Sequence, residues 1–408
     1  MKYTRSCTLF ISLLLTAFIL AASGCGWQKM NVQDLLNQPI VEEGKYDRSK
    51  KYIKAGIGVV YLTGSPYEIG FAHGKLCKNE IIDAHQYYWE AYDKLKNMSD
   101  GKWLPLSRSL ERYIPQEYVF EMKGIADGSG IEYDKILFLN TLATISEHSN
   151  CFAFSFKQAD SQIITARQID ISRNSPYAKK MLLYIIKPQQ GYGFAAILNP
   201  GMVSGETGMN EKGITVSENN IHIKQTEWDT IPINHLSRFV LQYSESIDDV
   251  GQFLLEQKVY PARLLFVSSR KSASIFEVAN KEMASINMKN GYLAMANHAC
   301  TIPSKNITSP STKRLDFGNQ FLKKNLKDMD IGKAIELVRT SRITWRWNPI
   351  VHNRQSIIFS PATLDFWVAI PPKSDFIPAS YGPYVGFNLR EELYGTGHEP
   401  NPKSFPAY

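Results

Sequence analysis

The 408-residue sequence predicts an α+β fold built in layers, and three observations predict it. Strand-like and helical segments come in blocks, in the order strands, helices, strands, helices, strands, where βαβ units would have alternated them. The character of the chain changes abruptly from helix to strand at Cys151. The composition, 44% hydrophobic and 21% charged, is that of a globular chain with enough apolar residues for a core. It excludes a disordered chain, a collagen, a coiled coil and a polytopic membrane protein.

Taken in order, Ile53–Leu62 is rich in β-branched residues and runs into a Gly-Ser-Pro turn, which predicts a strand. Pro66–Asn97 has helical spacing of Ile69, Leu76, Ile81, Ile82, Tyr88 and Trp89, and Gln116–Ala126 and Tyr133–Ser146 read as further helices. The three glycines between Gly124 and Gly130 lack a phosphate-loop pattern and read as a turn. From Cys151 the run Cys-Phe-Ala-Phe-Ser-Phe alternates as a strand, and Gln162–Gln168, Met181–Lys187 and Tyr192–Leu198 follow. A turn at Asn210–Gly213 leads into Ile214–Ser217. Two helices are expected between His235 and Gln257, then strands at Leu264–Ser268, Ala273–Val278 and Tyr292–Ala296. Helices at Lys313–Leu326 and Ile331–Thr340 precede strands at Gln355–Phe359, Phe366–Ile370 and Val385–Leu389.

The leader predicts the compartment. Lys2 and Arg5 precede a 14-residue apolar run, Leu9 to Ala22. That length suits a signal peptide and is short of the roughly 20 residues that span a bilayer. The run ends Ala-Ser-Gly-Cys25, which resembles a bacterial lipobox; an ordinary secretory signal is the plainer alternative. The predicted organisation is a signal over 1–24, a polar tether over 25–50, a mostly helical segment over 51–150 and a catalytic domain over 151–408. With a lipid on Cys25, the chain is expected at the outer face of the bacterial cytoplasmic membrane. The 46 basic and 39 acidic residues give a net charge of +7 without a Lys/Arg block, so nucleic acid is not expected as a partner. A homo-oligomer is left open.

Of five cysteines, Cys7 would leave with the signal and Cys25 would be lipidated. Cys77, Cys151 and Cys300 remain, an odd number that predicts at least one free thiol, with a Cys77–Cys300 pair left open. No Cys/His spacing matches a structural zinc site, His73 and His85 lack partners, and no cofactor is expected. A strand, a turn and a returning strand would bring Arg167 and Asp170 back beside Cys151. A guanidinium next to a thiol favours the nucleophilic thiolate. The same residues also fit a buried structural cysteine beside a plain ion pair.

Six segments resemble, in order, motifs of the penicillin acyltransferase family, acyl-coenzyme A:6-aminopenicillanic-acid acyltransferases, which are related to choloylglycine hydrolases. They are Gly64-Ser-Pro-Tyr-Glu-Ile-Gly-Phe-Ala-His-Gly74; Cys151-x-x-Phe154 with Arg167 and Asp170; Gly208-Met-Asn-Glu-Lys-Gly-Ile-Thr-Val-Ser217 with Asn219 and Asn220 beyond it; Ala296-Asn-His298; Ser311-Thr-Lys-Arg314; and Gln355-Ser-Ile-Ile-Phe-Ser-Pro361 with Phe366-Trp-Val-Ala369. The resemblance implies a four-layer αββα N-terminal-nucleophile hydrolase that cuts itself between Asn150 and Cys151. It implies that the freed α-amine of Cys151 is the base, that Asp170 orients this amine and that Arg167 steadies the thiolate or substrate. It further implies that Asn220 and Asn297 donate to the oxyanion and that Arg314 completes the polar network. Asn150 departs from the family, where a small residue precedes the nucleophile, and a one-residue slip would put Asn219 in place of Asn220.

The function this implies is hydrolysis of a linear amide of a small N-acyl compound through a thioester. The rivals are acyl transfer to an amine and a non-enzymatic ligand-binding lipoprotein. His298 reads as a packed or catalytic histidine. Trp345 and Trp347, near Asn348, read as core or as an acyl-pocket lining.

Overall fold

The local reason for each turn shows why the strands stack into two sheets. This computed structural model describes residues 38–94, 103–145, 149–172, 181–221, 223–303, 309–341, 351–371, 378–395, 397 and 402–405. The signal, Cys25, Trp345, Trp347 and Asn348 lie outside the described residues, as do the side chains of Tyr88 and Trp89.

Strands β1 (Val41–Tyr46), β2 (Ser49–Lys54) and β3 (Ile57–Gly64) form an antiparallel meander. The last of its turns uses Ala55 and Gly56, both at positive φ, so the strand expected over Ile53–Leu62 is two. The stretch read as a tether up to residue 50 therefore ends in ladder-paired strand from Val41. Its polar surface is that of a sheet edge, with β1 exposed at all positions but Gly44.

Gly64, at φ +133°, turns the chain into a capping box: Ser65 accepts from the Glu68 N–H, and the Glu68 carboxylate accepts from the Ser65 N–H at 2.7 Å. Pro66 stands at the start of helix α1 (Pro66–Leu76), where its missing N–H is not needed. Cys77 separates α1 from α2 (Lys78–Lys94), so the expected single helix is split. Helices α3 (Trp103–Glu111), α4 (Gln116–Ser129) and α5 (Tyr133–Ile145) follow.

Gly124 and Gly128 sit inside α4, not in a turn, and only Gly130, at φ +76°, ends the helix. The reason is tertiary. A Cβ on Gly70 would lie 1.9 Å from the Glu121 carbonyl oxygen, and one on Gly124 would lie 2.3 Å from that of Tyr67. Two small-xxx-small faces, Gly70/Gly74 and Gly124/Gly128, thus allow α1 and α4 to cross backbone to backbone.

The long sheet has the order β1-β2-β3-β6-β7-β8-β9-β10-β11-β12, and only the β3/β6 pair is parallel. Its later strands are β6 (Leu182–Pro188), β7 (Phe194–Leu198), β8 (Thr207–Asn210), β9 (Thr215–Asn220), β10 (Tyr260–Ser268), β11 (Ala273–Asn280) and β12 (Glu282–Asn287). The half-exposed edge strand β12 escaped the sequence reading. The second sheet has the order β13-β4-β5-β14-β15-β16 and is antiparallel throughout. Its strands are β4 (Ser149–Lys157), β5 (Ile163–Ser172), β13 (Tyr292–Met295), β14 (Val351–Ser360), β15 (Asp365–Ala369) and β16 (Val385–Asn388).

Three apolar interfaces make four layers. Helices α1–α5 with α6 (Ile233–Tyr243) and α7 (Ile247–Glu256) cover the long sheet. The two sheets pack on each other through Ile185, Met209, Phe359 and Phe387 at one end and Ala153, Leu264 and Ile275 at the other. Helices α8 (Ser309–Asn325) and α9 (Ile331–Thr340) cover the second sheet through Phe152, Phe154, Phe156 and Leu322. The expected αββα order is what the chain builds. Within the segment 51–150, β2 and β3 belong to the long sheet and the helices share one outer layer with α6 and α7. Between the sheets a file of hydroxyls, Ser155 to Thr165 to Ser268 to Thr215, is linked at 2.6 Å per step and fastens one sheet to the other.

Cys77 and Cys300 do not pair. Cys77 is buried with its sulfur 3.7 Å from the Tyr184 hydroxyl, while Cys300 is exposed on the loop after β13. Among the described residues no helix is long and apolar enough to cross a membrane.

Candidate active site

Strand alternation sorts the site onto two faces of the second sheet. In β4, Phe152, Phe154 and Phe156 point at α8 and α9, so Cys151, Ala153 and Ser155 point at the long sheet. In β5 the same alternation sends Thr165 and Arg167 toward the long sheet and Gln168 and Asp170 toward the helices. Arg167 and Asp170 therefore flank Cys151 from opposite sides.

Arg167 is fully buried. Its Nη2 lies 3.7 Å from Cys151 Sγ and 3.2 Å from Glu206 Oε1, and it also donates to the Glu218 carbonyl oxygen. Its Nη1 donates to the Glu206 carbonyl oxygen at 2.7 Å. The guanidinium is thus bolted to the long sheet and aimed at the sulfur, where it favours negative charge.

Asp170 stands opposite Asn150 in the β4/β5 ladder. Its Oδ2 accepts from Arg314 Nη2 at 2.8 Å, and its Oδ1 is buried without a hydrogen-bond partner among the described residues. Arg314 comes from α8 and lies over the Phe152 ring, 5.4 Å from its centroid. Asn150 is half-buried while Cys151 is fully buried, so the bond between them marks the mouth of the site.

The Cys151 nitrogen has an unusual partner for a strand residue. Strand β13 stops pairing with β4 at Met295 and Ala153. Where the next ladder bond would form, the Cys151 N–H donates to Asn297 Oδ1 at 2.7 Å. Asn297 Nδ2 donates to the Asn220 carbonyl oxygen at 3.0 Å, and its own N–H donates to Ser311 Oγ at 2.8 Å. Asn297 therefore clamps the nitrogen of Cys151 in this state. Asn219 Nδ2 donates to the Ala296 carbonyl oxygen at 2.9 Å, and its buried Oδ1 has no hydrogen-bond partner among the described residues. In β9 Val216 faces the helices, and alternation turns Asn219 toward Cys151 and Asn220 away from it.

The Ser-x-x-Arg spacing acquires a reason. Ser311 and Arg314 lie one turn apart on α8. Ser311 holds the backbone of Asn297 and the Nδ1 of His298, at 2.7 Å, while Arg314 holds Asp170. Burial lowers the His298 pKa. His73 packs far from these groups, accepting from the Gly201 N–H at 3.0 Å, and burial takes it down to about 3.

Sequence reasoning missed Glu206 and Glu218. Glu206 precedes β8 and pairs with Arg167. Glu218 is buried against Arg263 at 3.2 Å, and burial, with the nearby Glu206 charge, raises its carboxyl well above the usual range. Neither carries a motif; the sheet-to-sheet approach alone makes them neighbours of Arg167.

The family model described as acyl-coenzyme A:6-aminopenicillanic acid acyl-transferase matches residues 157–341, a span that starts beyond Cys151. The chain is 26% identical over 234 residues to protein dcd1A of Dictyostelium discoideum, covering 47% of this chain and 51% of that one. It is 21% identical over 248 residues to the 40 kDa form of acyl-coenzyme A:6-aminopenicillanic-acid-acyltransferase of Emericella nidulans, covering 59% and 68%. The chain spans about half the length of the curated relatives it matches. Among solved structures it is similar to penicillin V acylase of Agrobacterium tumefaciens, at 15% identity and TM-score 0.42, over 56% of this chain and 84% of that one. Over residues 157–341, less than half of its length, the chain is similar to the acyl-coenzyme A:6-aminopenicillanic acid acyl-transferase family.

Proposed function

We propose that this chain is a cysteine-dependent amidohydrolase that matures by cutting itself between Asn150 and Cys151. The observation that carries the reading is the setting of Cys151, with its sulfur beside Arg167 and its nitrogen held by Asn297. In the cut, Cys151 Sγ adds to the Asn150 carbonyl carbon, the C–N bond breaks, and the nitrogen takes the thiol proton. Water then hydrolyses the thioester, leaving the Asn150 carboxyl group and a free thiol beside a new α-amine. Such an amine has a reference pKa near 7.7–8.0 and serves as the base.

In turnover the amine takes the thiol proton and Sγ attacks the carbonyl of a linear N-acyl amide. The tetrahedral oxyanion needs donors, and collapse returns the proton to the departing amine. Water resolves the acyl thioester to the acid and the thiol. Arg167 steadies the anionic sulfur, and the open Oδ1 of Asp170 is an acceptor suited to the α-ammonium. Acyl transfer is the second reading, in which an amine replaces that water. The similarity to an acyltransferase is what favours it.

We also place the chain, through a lipid on Cys25, at the outer face of a bacterial cytoplasmic membrane. A Cys25→Ser variant that keeps its membrane association would overturn that anchor.

The deciding experiment is intact-mass spectrometry of the full chain beside Cys151→Ala. Two fragments with a new N-terminal cysteine at position 151, absent in the variant, are expected. A single uncut chain in both would remove self-cleavage and favour a binding protein.

A further inference from the structure

The loop that carries Asn297 is anchored from behind by a group the mechanism does not use. Glu277 lies on β11, is 1% exposed, and shares the inward face of that strand with Ile275 and Ala279. Leu264 stands opposite it in the β10/β11 ladder, Ala299 and Ile302 belong to the apolar cluster on the same face, and His298 is near enough to feel its charge. Among the described residues no Lys or Arg pairs with it. Its carboxylate instead accepts three consecutive backbone N–H groups: Cys300 at 2.6 Å on Oε1, and Thr301 at 2.8 Å and Ile302 at 2.9 Å on Oε2.

Burying a carboxylate without a cation is unfavourable unless its oxygens are fully engaged. An apolar side chain would cover this loop at smaller cost. What the carboxylate adds is direction, because three donors converge on two oxygens and fix the path of residues 300–302. The same segment begins at Ala296, whose carbonyl accepts from Asn219, and passes through Asn297 and His298, both tied to Ser311. It is pinned at the front by Ser311 and Asn219 and at the back by Glu277, with the clamp on the Cys151 nitrogen between them.

We propose that Glu277 is a positioning residue that holds Asn297 against the Cys151 nitrogen. The consequence for turnover rests on the reading of Cys151 as nucleophile, while the geometric claim is separate, and the test keeps them apart. The Cys151→Ala chain provides the uncut background. Residue-by-residue hydrogen exchange of that chain is compared with exchange after adding Glu277→Gln, which replaces one acceptor oxygen with a donor facing N–H groups. Exchange at residues 300–302 and at residue 151 is expected to rise at least about tenfold. Glu277→Asp, which keeps both oxygens, is expected to restore part of the protection at 151.

A rise confined to 300–302, with residue 151 unchanged, overturns the proposal, because the anchor then serves only its own loop. No rise at either place overturns it too. In the otherwise native chain, Glu277→Gln is expected to slow the cut at 150–151 by about tenfold or more at temperatures far below its melting point. A wild-type chain that never cuts removes the function proposed for Cys151 and leaves the exchange result standing.

Discussion

Asn297 Oδ1 accepts the backbone N–H of Cys151 at 2.7 Å, on the edge of β4 that strand β13 has just vacated. One side chain thereby replaces one ladder bond, at the atom that would become the amine base. Asn297→Ala removes this partner and the donor to the Asn220 carbonyl. Self-cleavage and turnover are each expected to fall about 10²-fold, since small misplacements of reacting groups have effects of that size. Timed mass spectrometry of the 150–151 cut measures the first of these. An unchanged rate would take Asn297 out of the mechanism.

Asp170→Asn addresses a different joint. In the proposed mechanism this variant removes the charge that orients the α-amine. The Asp170–Arg314 pair is buried at both ends, 6% and 1% exposed, so the variant also leaves a buried guanidinium unpaired. It is expected to lose about 3–5 kcal/mol of stability as well as activity. Adding Arg314→Met should recover part of the stability and none of the activity. Urea denaturation of the three variants checks the coupling, and additive losses would refute it.

The crossing of α1 and α4 predicts intolerance of one methyl group. In Gly124→Ala the new Cβ would sit 2.3 Å from the Tyr67 oxygen and 2.7 Å from the Phe71 nitrogen, both backbone atoms. A loss of about 1–3 kcal/mol is expected from overpacking. Gly251→Ala, in α7 with its nearest neighbour at 3.7 Å, should instead gain up to about 1 kcal/mol. Melting temperatures that move in the same direction for both would contradict this packing account.

Two buried histidines set an acid limit on stability. Burial, reinforced by the Arg238 charge, lowers the pKa of both His73 and His235 to about 3. The unfolded chain binds a proton at each below its ordinary value of 6.5, while the folded chain does not. Their contribution is therefore fully present above 6.5 and is lost as pH falls toward 3. Neither ring nitrogen of His235 has a hydrogen-bond partner among the described residues, and its ring stacks on Tyr118 at 5.9 Å. His235→Phe should keep the packing and flatten the pH slope by about one proton in this window. Denaturation at pH 4.5 and 7.5 measures it, and an unchanged slope would mean that His235 does not titrate on unfolding.

Much of the layer order was legible because local pattern reports it. The alternation from Cys151 to Phe156 and the Asn-Glu-Lys-Gly turn ahead of Ile214 read directly as elements. At that turn Asn210 Oδ1 accepts from the N–H groups of Lys212 and Ile214, and Gly213 takes φ +84°. The hairpin from Val41 was not legible, since an exposed edge strand of Lys, Glu and Tyr lacks the apolar face that marks a buried one. The glycines of α4 misled for a related reason. Alone they read as a break, and only the facing glycines of α1 turn them into a helix contact.

By itself, the sequence determined that strands and helices segregate into layers. It also determined that Cys151 lies on a strand whose returning partner carries Arg167 and Asp170, because hydrophobic period and strand register are local properties, although that strand begins at Ser149 and not at Cys151. Only the tertiary structure decided which face meets what, Arg167 the long sheet with Glu206 and Asp170 the helix layer with Arg314. It likewise decided that Glu206 holds Arg167, that Ser311 and Arg314 divide their work between Asn297 and Asp170, and that Glu277 anchors the loop behind them. These contacts join strands and helices far apart in the chain, and their geometry exists only when both sheets are packed.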